Sequence, residues 1–148
     1  MRFRSAAYAV CVGDGKVLLA CHAPPGREPN GTLPGGGIVR EVAGETGCEA
    51  VVKRLLGVDS RVVPAVERAV PGGGPEHQNV GVFHQVRVTG GRLRPEPGGE
   101  IAEPVRTPLP EVAGLRRPSP VDAGPALART LPATGHVPPV AVGGLVRH

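Results

Sequence analysis

The stretch from Leu33 to Cys48 constrains the fold of this chain more than any other part of the sequence. Three successive glycines, Gly35 to Gly37, run directly into a segment that carries Arg40, Glu41 and Glu45. Glycine lets the backbone turn sharply and come close to a ligand. If the segment is helical, the two glutamates lie four residues apart and share one face. The stretch therefore predicts a glycine loop followed by a short helix with two carboxylates on one side.

Two chemical interpretations of this stretch follow from the residues. Two carboxylates beside an open glycine loop suit a divalent cation that bridges to phosphate oxygens, because hard cations take oxygen ligands. The alternative is a solvated helix start preceded by an ordinary glycine turn. The residues alone leave both interpretations open.

The stretch resembles the signature of the Nudix hydrolases, which ends in Arg-Glu-U-x-Glu-Glu-x-Gly-U, where U is apolar. Arg40 to Cys48 matches this second half at every position except Gly44, which stands where the first glutamate of the pair belongs. The first half, with its own glutamate, is mostly missing. The signature spans 23 positions, whereas Gly36 to Cys48 covers 13, so the motif is shortened by ten residues.

The resemblance implies an α/β fold, a Nudix-type α/β/α sandwich around a mixed β-sheet, with a shortened catalytic helix. The order of elements before the motif agrees with it. Arg4 to Val12 and Val17 to Cys21 are predicted strands, joined by a hairpin turn at Gly13-Asp14-Gly15. The loop from Ala23 to Gly31 then leads to the glycine run.

The rest of the chain predicts one domain over residues 1–131 and a tail rich in proline and glycine over residues 132–148. Gly47 is well placed to cap the end of the motif helix. The other predicted elements are an extended segment from Glu49 to Val63 broken near Gly57, a loop from Pro64 to Pro75, strands at His77 to Val88 and Val105 to Leu109, a short helix near Glu111 to Leu115, and a helix from Asp122 to Leu131.

The resemblance implies hydrolysis of a nucleoside diphosphate linked to another moiety, with Mg²⁺ or Mn²⁺ as cofactor. Carried over position by position, Glu45 is a metal ligand and Gly36 offers its carbonyl oxygen. Glu41 is a ligand or the general base, and Arg40 orients that carboxylate. With Gly44 in place of an acid and the first glutamate missing, two of four signature acids remain, so we expect weaker metal binding than in complete relatives.

Further site residues come from outside the helix. Glu100 and Glu103 are candidates for an additional acid, although ordinary surface charge explains them equally well. Gly35 and Gly37 are assigned to substrate binding. Base recognition normally uses aromatic stacking, and the chain has one Tyr, two Phe and no Trp. Tyr8 and Phe83 are the plausible rings, and Phe83 is assigned to the substrate site.

Two rivals to the enzyme remain open. One is a non-catalytic Nudix-like domain that binds a nucleotide or a partner. The other is an internally deleted chain that folds but has no present function. The shortened motif is the feature that separates these hypotheses from the hydrolase.

Composition limits the kinds of partner and the cellular compartment that we expect for this protein. A net charge of +4 permits an anionic ligand, but the arginines are scattered without interleaved aromatics, so nucleic acid is not expected. Cys11, Cys21 and Cys48 are odd in number and lack metal-type spacing, which predicts free thiols in a reducing cytoplasm. No stretch approaches the roughly 20 apolar residues of a membrane span. The expected partner is a small nucleoside diphosphate derivative, and the sequence leaves a homodimer open.

Overall fold

The structure, a computed structural model, describes residues 2–22, 30–35, 43, 46–63, 77–94 and 101–138. Its strands are β1 (Arg2–Val10), β2 (Val12–Gly13), β3 (Lys16–His22), β4 (Asn30–Thr32), β5 (Cys48–Val63), β6 (His77–Gly91) and β7 (Ile101–Pro108). A 3₁₀ helix spans Leu109–Gly114, and an α-helix, α1, spans Pro120–Thr130.

The strands form two sheets, of which the first is mixed. In the first sheet β6 lies in the centre, parallel to β1 and antiparallel to β5. The second sheet pairs β3 antiparallel with β2, β4 and β7. This mixed sheet and the helix packed on it confirm the predicted α/β class.

The hairpin before the glycine run has the predicted turn. Asp14 and Gly15 both have positive φ, 54° and 72°. Positive φ at both central residues is the type I′ geometry, whose twist matches that of the flanking strands. The predicted strand from Arg4 to Val12 is divided at Cys11 into β1 and β2.

The predicted break near Gly57 is an irregularity inside one long strand. β5 runs for 16 residues, and its pairing with β6 shifts between Leu55 and Gly57. Residues 132–138 lie along this part of β5, where the Gly135 carbonyl accepts a hydrogen bond of 3.0 Å from the N–H of Val58. Val137 belongs to the core. The first residues of the predicted tail therefore pack against the sheet.

Apolar side chains cover both faces of the mixed sheet. One cluster lies between the sheet and α1, and it includes Val10, Leu56, Phe83 and Leu127. The other lies on the opposite face and consists of Ala9, Cys11, Leu18, Cys48, Ala50 and Val86. Because successive side chains of a strand point to opposite faces, β6 contributes Phe83 to one cluster and Val86 to the other.

The C-terminal elements match their predictions with shifted bounds. β7 begins four residues before the predicted strand, and the predicted short helix is the 3₁₀ helix. The predicted helix is α1, which begins at Pro120. A backbone N–H in the first turn has no partner within the helix, so a proline there loses no hydrogen bond. Pro125 lies inside α1.

One ion pair joins α1 to the segment before it. Arg117 donates to both carboxylate oxygens of Asp122, at 3.0 and 3.1 Å, and to the carbonyl oxygens of Leu115 and Ala113 at 2.9 and 3.2 Å. The Arg117 side chain is only 12% exposed. The Nε–H of Arg117 is shared between the two carboxylate oxygens, and a partly buried, charge-assisted contact of this kind contributes more than an exposed pair.

Replacing Arg117 by Gln is expected to lower the free energy of unfolding by about 1–2 kcal/mol, because it removes charge-assisted hydrogen bonds from a partly buried carboxylate. Urea denaturation measures the change. Arg129→Gln, at an exposed position in the last turn of α1, is the matched control and should cost less than about 0.5 kcal/mol. Equal losses in both variants would contradict a specific role for Arg117.

Several predicted segments lie outside the described residues. They are the loop from Pro64 to Pro75, residues 23–29 of the loop before the glycine run, and residues 139–148 of the tail. Within the described part of the chain, no helix is long and apolar enough to cross a membrane.

Candidate functional site

The motif helix ends as the sequence predicts. Ala43 and Thr46 are helical, and the N–H of Gly47 donates to the carbonyl oxygen of Ala43 at 2.9 Å. Gly47 has φ 81°, in the left-handed region that commonly closes a helix. The predicted glycine cap is therefore confirmed.

Further hydrogen bonds attach this helix end to the end of β6. The backbone N–H of Arg94 donates to the carbonyl of Thr46 at 3.0 Å, and the Arg94 guanidinium donates to the carbonyl of Ala43 at 3.1 Å. Thr46 is fully buried, and its hydroxyl accepts from the N–H of Cys48 at 3.2 Å. A cation at a helix C-terminus also interacts favourably with the helix dipole. The end of the motif helix is thus fixed to the sheet.

The glycine run starts against β1. Gly35 forms an isolated antiparallel bridge with Tyr8, and the N–H of Ala9 donates to the carbonyl of Pro34 at 2.7 Å. A Cβ at Gly35 would lie 2.9 Å from the carbonyl oxygen of Ala7 and 3.4 Å from the Tyr8 ring. The close approach of the two backbones therefore requires glycine at this position.

Tyr8 presents an aromatic ring beside the glycine run. The ring is half-buried and stacks on Phe83, with 5.2 Å between the ring centroids and an interplanar angle of 29°. The two rings together fill the space that a side chain at Gly81 would need, because a Cβ there would lie 3.0 Å from Tyr8 and 3.1 Å from Phe83. Phe83, which the sequence assigns to the substrate site, is fully buried beneath Tyr8 in the core.

Polar residues lie on the same face of the mixed sheet as Tyr8. Arg4 pairs with Asn79, which pairs in turn with Arg61, and directly paired residues share a face. Asp59 lies two residues before Arg61 in β5, so it shares this face and is closer to Tyr8. We call this set the Tyr8 surface; it consists of Arg4, Tyr8, Asp59, Arg61 and Asn79.

The pKa of the Tyr8 phenol is shifted mainly by burial. Burial raises the pKa of Tyr8, Arg4 lowers it, and the Asp59 carboxylate raises it, with a net rise above the ordinary value. The phenol is therefore a hydrogen-bond donor at neutral pH. The surface combines an aromatic ring, an exposed cation and amide and carboxylate groups, which suits recognition of a nucleotide-like ligand.

Most of the site residues predicted from sequence lie outside the described part of the chain. They are Gly36, Gly37, Arg40, Glu41, Glu45 and Glu100. Glu103 has a described backbone, which pairs with Cys21 between β7 and β3, but its side chain also lies outside. Their roles therefore stay predictions. Among the described residues, no group of three or more His, Cys, Asp or Glu side chains could hold a metal ion.

Two of the three cysteines are described as free thiols. Cys11 and Cys48 are both buried and free, as the sequence predicts for them. Burial and the neighbouring Cys48 raise the pKa of Cys11 to about 11, although Arg106 lowers it. The thiol is therefore protonated and unreactive at neutral pH.

Because the pKa of Cys11 is raised in the folded protein, the free energy of unfolding falls as the pH becomes alkaline. The folded protein keeps a proton that the unfolded chain loses, so this contribution is complete below pH about 9 and is lost as the pH rises towards about 11. Urea denaturation at pH 8, 9 and 10 should show a steeper loss of stability in the wild type than in Cys11→Ala. Parallel pH profiles would contradict the assignment.

Comparison with known proteins rests on structure. No protein-family model matches the sequence, and no curated protein matches it significantly. Solved structures that resemble this chain include the Nudix domain of Shewanella oneidensis NrtR in complex with ADP ribose, with a TM-score of 0.59 and 16% identity over 87% of this chain and 88% of that chain. The MutT protein from Methanosarcina mazei Go1 resembles it with a TM-score of 0.58 and 19% identity, covering 86% and 94%. A Nudix hydrolase from Nitrosomonas europaea gives 0.58 and 18%, covering 77% and 78%. At these identities the likeness shows the fold, which is the Nudix fold.

Proposed function

We propose that this chain, which has the Nudix fold, is a metal-dependent hydrolase of a nucleoside diphosphate linked to another moiety. The observation that carries the proposal is the attachment of the motif at both ends. Its glycine run begins in a bridge with Tyr8, and its helix ends at Gly47 with hydrogen bonds to Arg94. A segment held at both ends on one sheet is a suitable support for a metal and phosphate site.

The few residues between the described helix end and Glu41 and Glu45 support the proposal that these two carboxylates act as a pair. Residues 36–42 separate Gly35 from the described helical residue Ala43. Glu41 precedes Ala43 by two residues, which limits their Cα separation to about 7 Å. Glu45 immediately precedes the fixed residue Thr46. Both acids are thus within two residues, along the chain, of a described residue of the helix end, which favours their acting together.

The donor set suits the implied cofactor. Carboxylates and a backbone carbonyl are the oxygen ligands that Mg²⁺ and Mn²⁺ prefer. Glu45, Glu41 and the carbonyl of Gly36 would hold the ion, with Glu100 or Glu103 as a further acid. When bound, the ion supplies positive charge to the diphosphate oxygens and lowers the pKa of a water molecule. If Glu41 is the general base in place of a ligand, it would accept the proton of the attacking water, and Arg40 would orient that carboxylate.

The substrate would lie over the Tyr8 surface. The half-buried ring of Tyr8 would stack on the nucleobase with its accessible part, and Phe83 supports the ring from the core. Arg4 offers charge to the phosphates, while Gly35 and Gly37 let the backbone approach them. ADP-ribose is the first substrate to test, because the similar NrtR domain was solved in complex with it.

Tyr8→Leu is expected to raise KM for ADP-ribose about tenfold with little change in kcat, because stacking is worth about 1–3 kcal/mol per base. Tyr8→Phe keeps the ring and is the matched control, with KM expected within about threefold of the wild type. Steady-state kinetics measure both constants. If Tyr8→Leu leaves KM unchanged, the substrate does not lie on this ring.

A non-catalytic binding domain is the second candidate function. Gly44 in place of an acid and the ten-residue shortening favour it, because they remove two of the four signature acids. A panel of nucleoside diphosphate compounds with Mg²⁺ separates the candidates. Product release from at least one compound supports the hydrolase, whereas ligand-induced melting shifts without product release support the binding domain.

A further inference from the structure

A positively charged cleft lies where the two sheets meet, away from the Tyr8 surface. It has a volume of about 380 Å³. Lys53 of β5, Arg87 of β6 and Arg106 of β7 line it, together with Gln85 and Cys11. Cationic residues from three strands therefore line one cleft, and its described lining includes no Asp, Glu or aromatic residue.

Among the described residues, the three cations have no carboxylate partners. Lys53, Arg87 and Arg106 are exposed, and within the described ranges no carboxylate forms an ion pair with any of them. Like charges around one cleft repel each other, so folding holds them together at a cost. A cleft lined by one sign of charge also concentrates ions of the opposite sign. The arrangement is the one expected where a ligand supplies the negative charge.

The edge of β6 adds backbone donors to the cleft. Pairing between β1 and β6 ends at Val10 and Gln85, whereas β6 continues to Gly91. Among the described strands, none pairs with this edge of β6 beyond Gln85. Val86 and Val88 line the cleft along that edge. Unpaired backbone N–H groups beside cationic side chains are common ligands of anions.

We propose that this cleft binds the phosphate groups of a small phosphorylated molecule. Its volume lies within the range of small-ligand sites. A single strand of nucleic acid is disfavoured, because such strands are usually held by aromatic stacking and no aromatic ring is among the described lining residues. Arg87 lies four residues along β6 from Phe83, the residue that pairs with Tyr8, or about 13 Å. The cleft is thus a second site that requires neither a metal nor hydrolysis.

Inorganic tripolyphosphate in EDTA-containing buffer at 0.1 M salt is the probe. Isothermal calorimetry compares the wild type with the triple variant Lys53→Gln, Arg87→Gln, Arg106→Gln. The matched control, Arg54→Gln, Arg92→Gln, Arg129→Gln, removes the same charge from exposed positions outside the cleft. We expect the cleft variant to bind at least tenfold more weakly and the control to change Kd less than threefold.

Melting temperatures without ligand give an independent readout. Because the cleft variant relieves repulsion, its Tm should equal or exceed that of the control variant. A lower Tm would contradict the mutual repulsion of the three cations. Failure of the wild type to bind tripolyphosphate, or equal losses in both variants, would overturn the proposal. So would binding of a single-stranded oligonucleotide in place of tripolyphosphate. All of these results are independent of whether the chain hydrolyses nucleotides.

Discussion

Replacing Glu41 or Glu45 by Gln is expected to lower kcat for Mg²⁺-dependent hydrolysis of ADP-ribose by about 100-fold or more. The proposed general base contributes a factor of about 10²–10⁴, and loss of a carboxylate ligand weakens the hold on the ion that activates water. The shortened motif makes the effect severe, because only two signature acids remain. Steady-state kinetics at saturating Mg²⁺ measure kcat.

Glu49→Gln is the matched control for this pair. Glu49 is exposed and lies beyond the Gly47 cap, in β5. Its replacement removes the same charge without touching the proposed site, so kcat should change less than about twofold. Wild-type activity in both Glu41→Gln and Glu45→Gln would remove these residues from the mechanism.

Replacing Gly47 by Ala is expected to lower the free energy of unfolding by about 2–4 kcal/mol. A non-glycine residue at φ 81° costs roughly 1–2 kcal/mol. The added Cβ would also collide with the carbonyl oxygen of Arg92 and lie 2.6 Å from the Arg94 side chain. Arg94 holds the end of the motif helix, so the substitution should also reduce activity. Urea denaturation measures the stability change.

Gly13→Ala is the control for a glycine without such constraints. A Cβ at Gly13 would meet nothing within 4 Å. The free energy of unfolding should therefore change by no more than about 0.5 kcal/mol. A Gly47→Ala variant as stable as Gly13→Ala would contradict the close packing of the helix end against the segment after β6.

Local patterns predicted the elements that depend on nearby residues. The Asp14-Gly15 turn, the Gly47 cap and α1 each follow from side chains within a few positions, because turn and cap geometry is set by local backbone preferences. The alternation of His77 to Val88 likewise predicted β6. The resemblance supplied the mixed sheet, which local patterns do not determine.

Long-range contacts account for what the sequence did not predict. Phe83 and Tyr8 are equally plausible as exposed rings in the sequence, yet Phe83 is buried and Tyr8 lies beside Gly35. The parallel register of β1 and β6 places the two rings side by side on one face, and α1 packs against Phe83 at Gly124; neither contact carries a local signal in the sequence. The sequence likewise does not predict the cleft lined by Lys53, Arg87 and Arg106, because its cations come from three separate strands.

The most direct test of the proposed function is ³¹P NMR of ADP-ribose incubated with the protein and Mg²⁺. Hydrolysis of the diphosphate predicts loss of its two coupled resonances and the appearance of two phosphomonoester signals, from AMP and ribose 5-phosphate. EDTA and the Glu45→Gln substitution should each stop this conversion. An unchanged spectrum for ADP-ribose and for the other nucleoside diphosphate compounds would contradict the hydrolase, and conversion that persists in EDTA would contradict its dependence on metal.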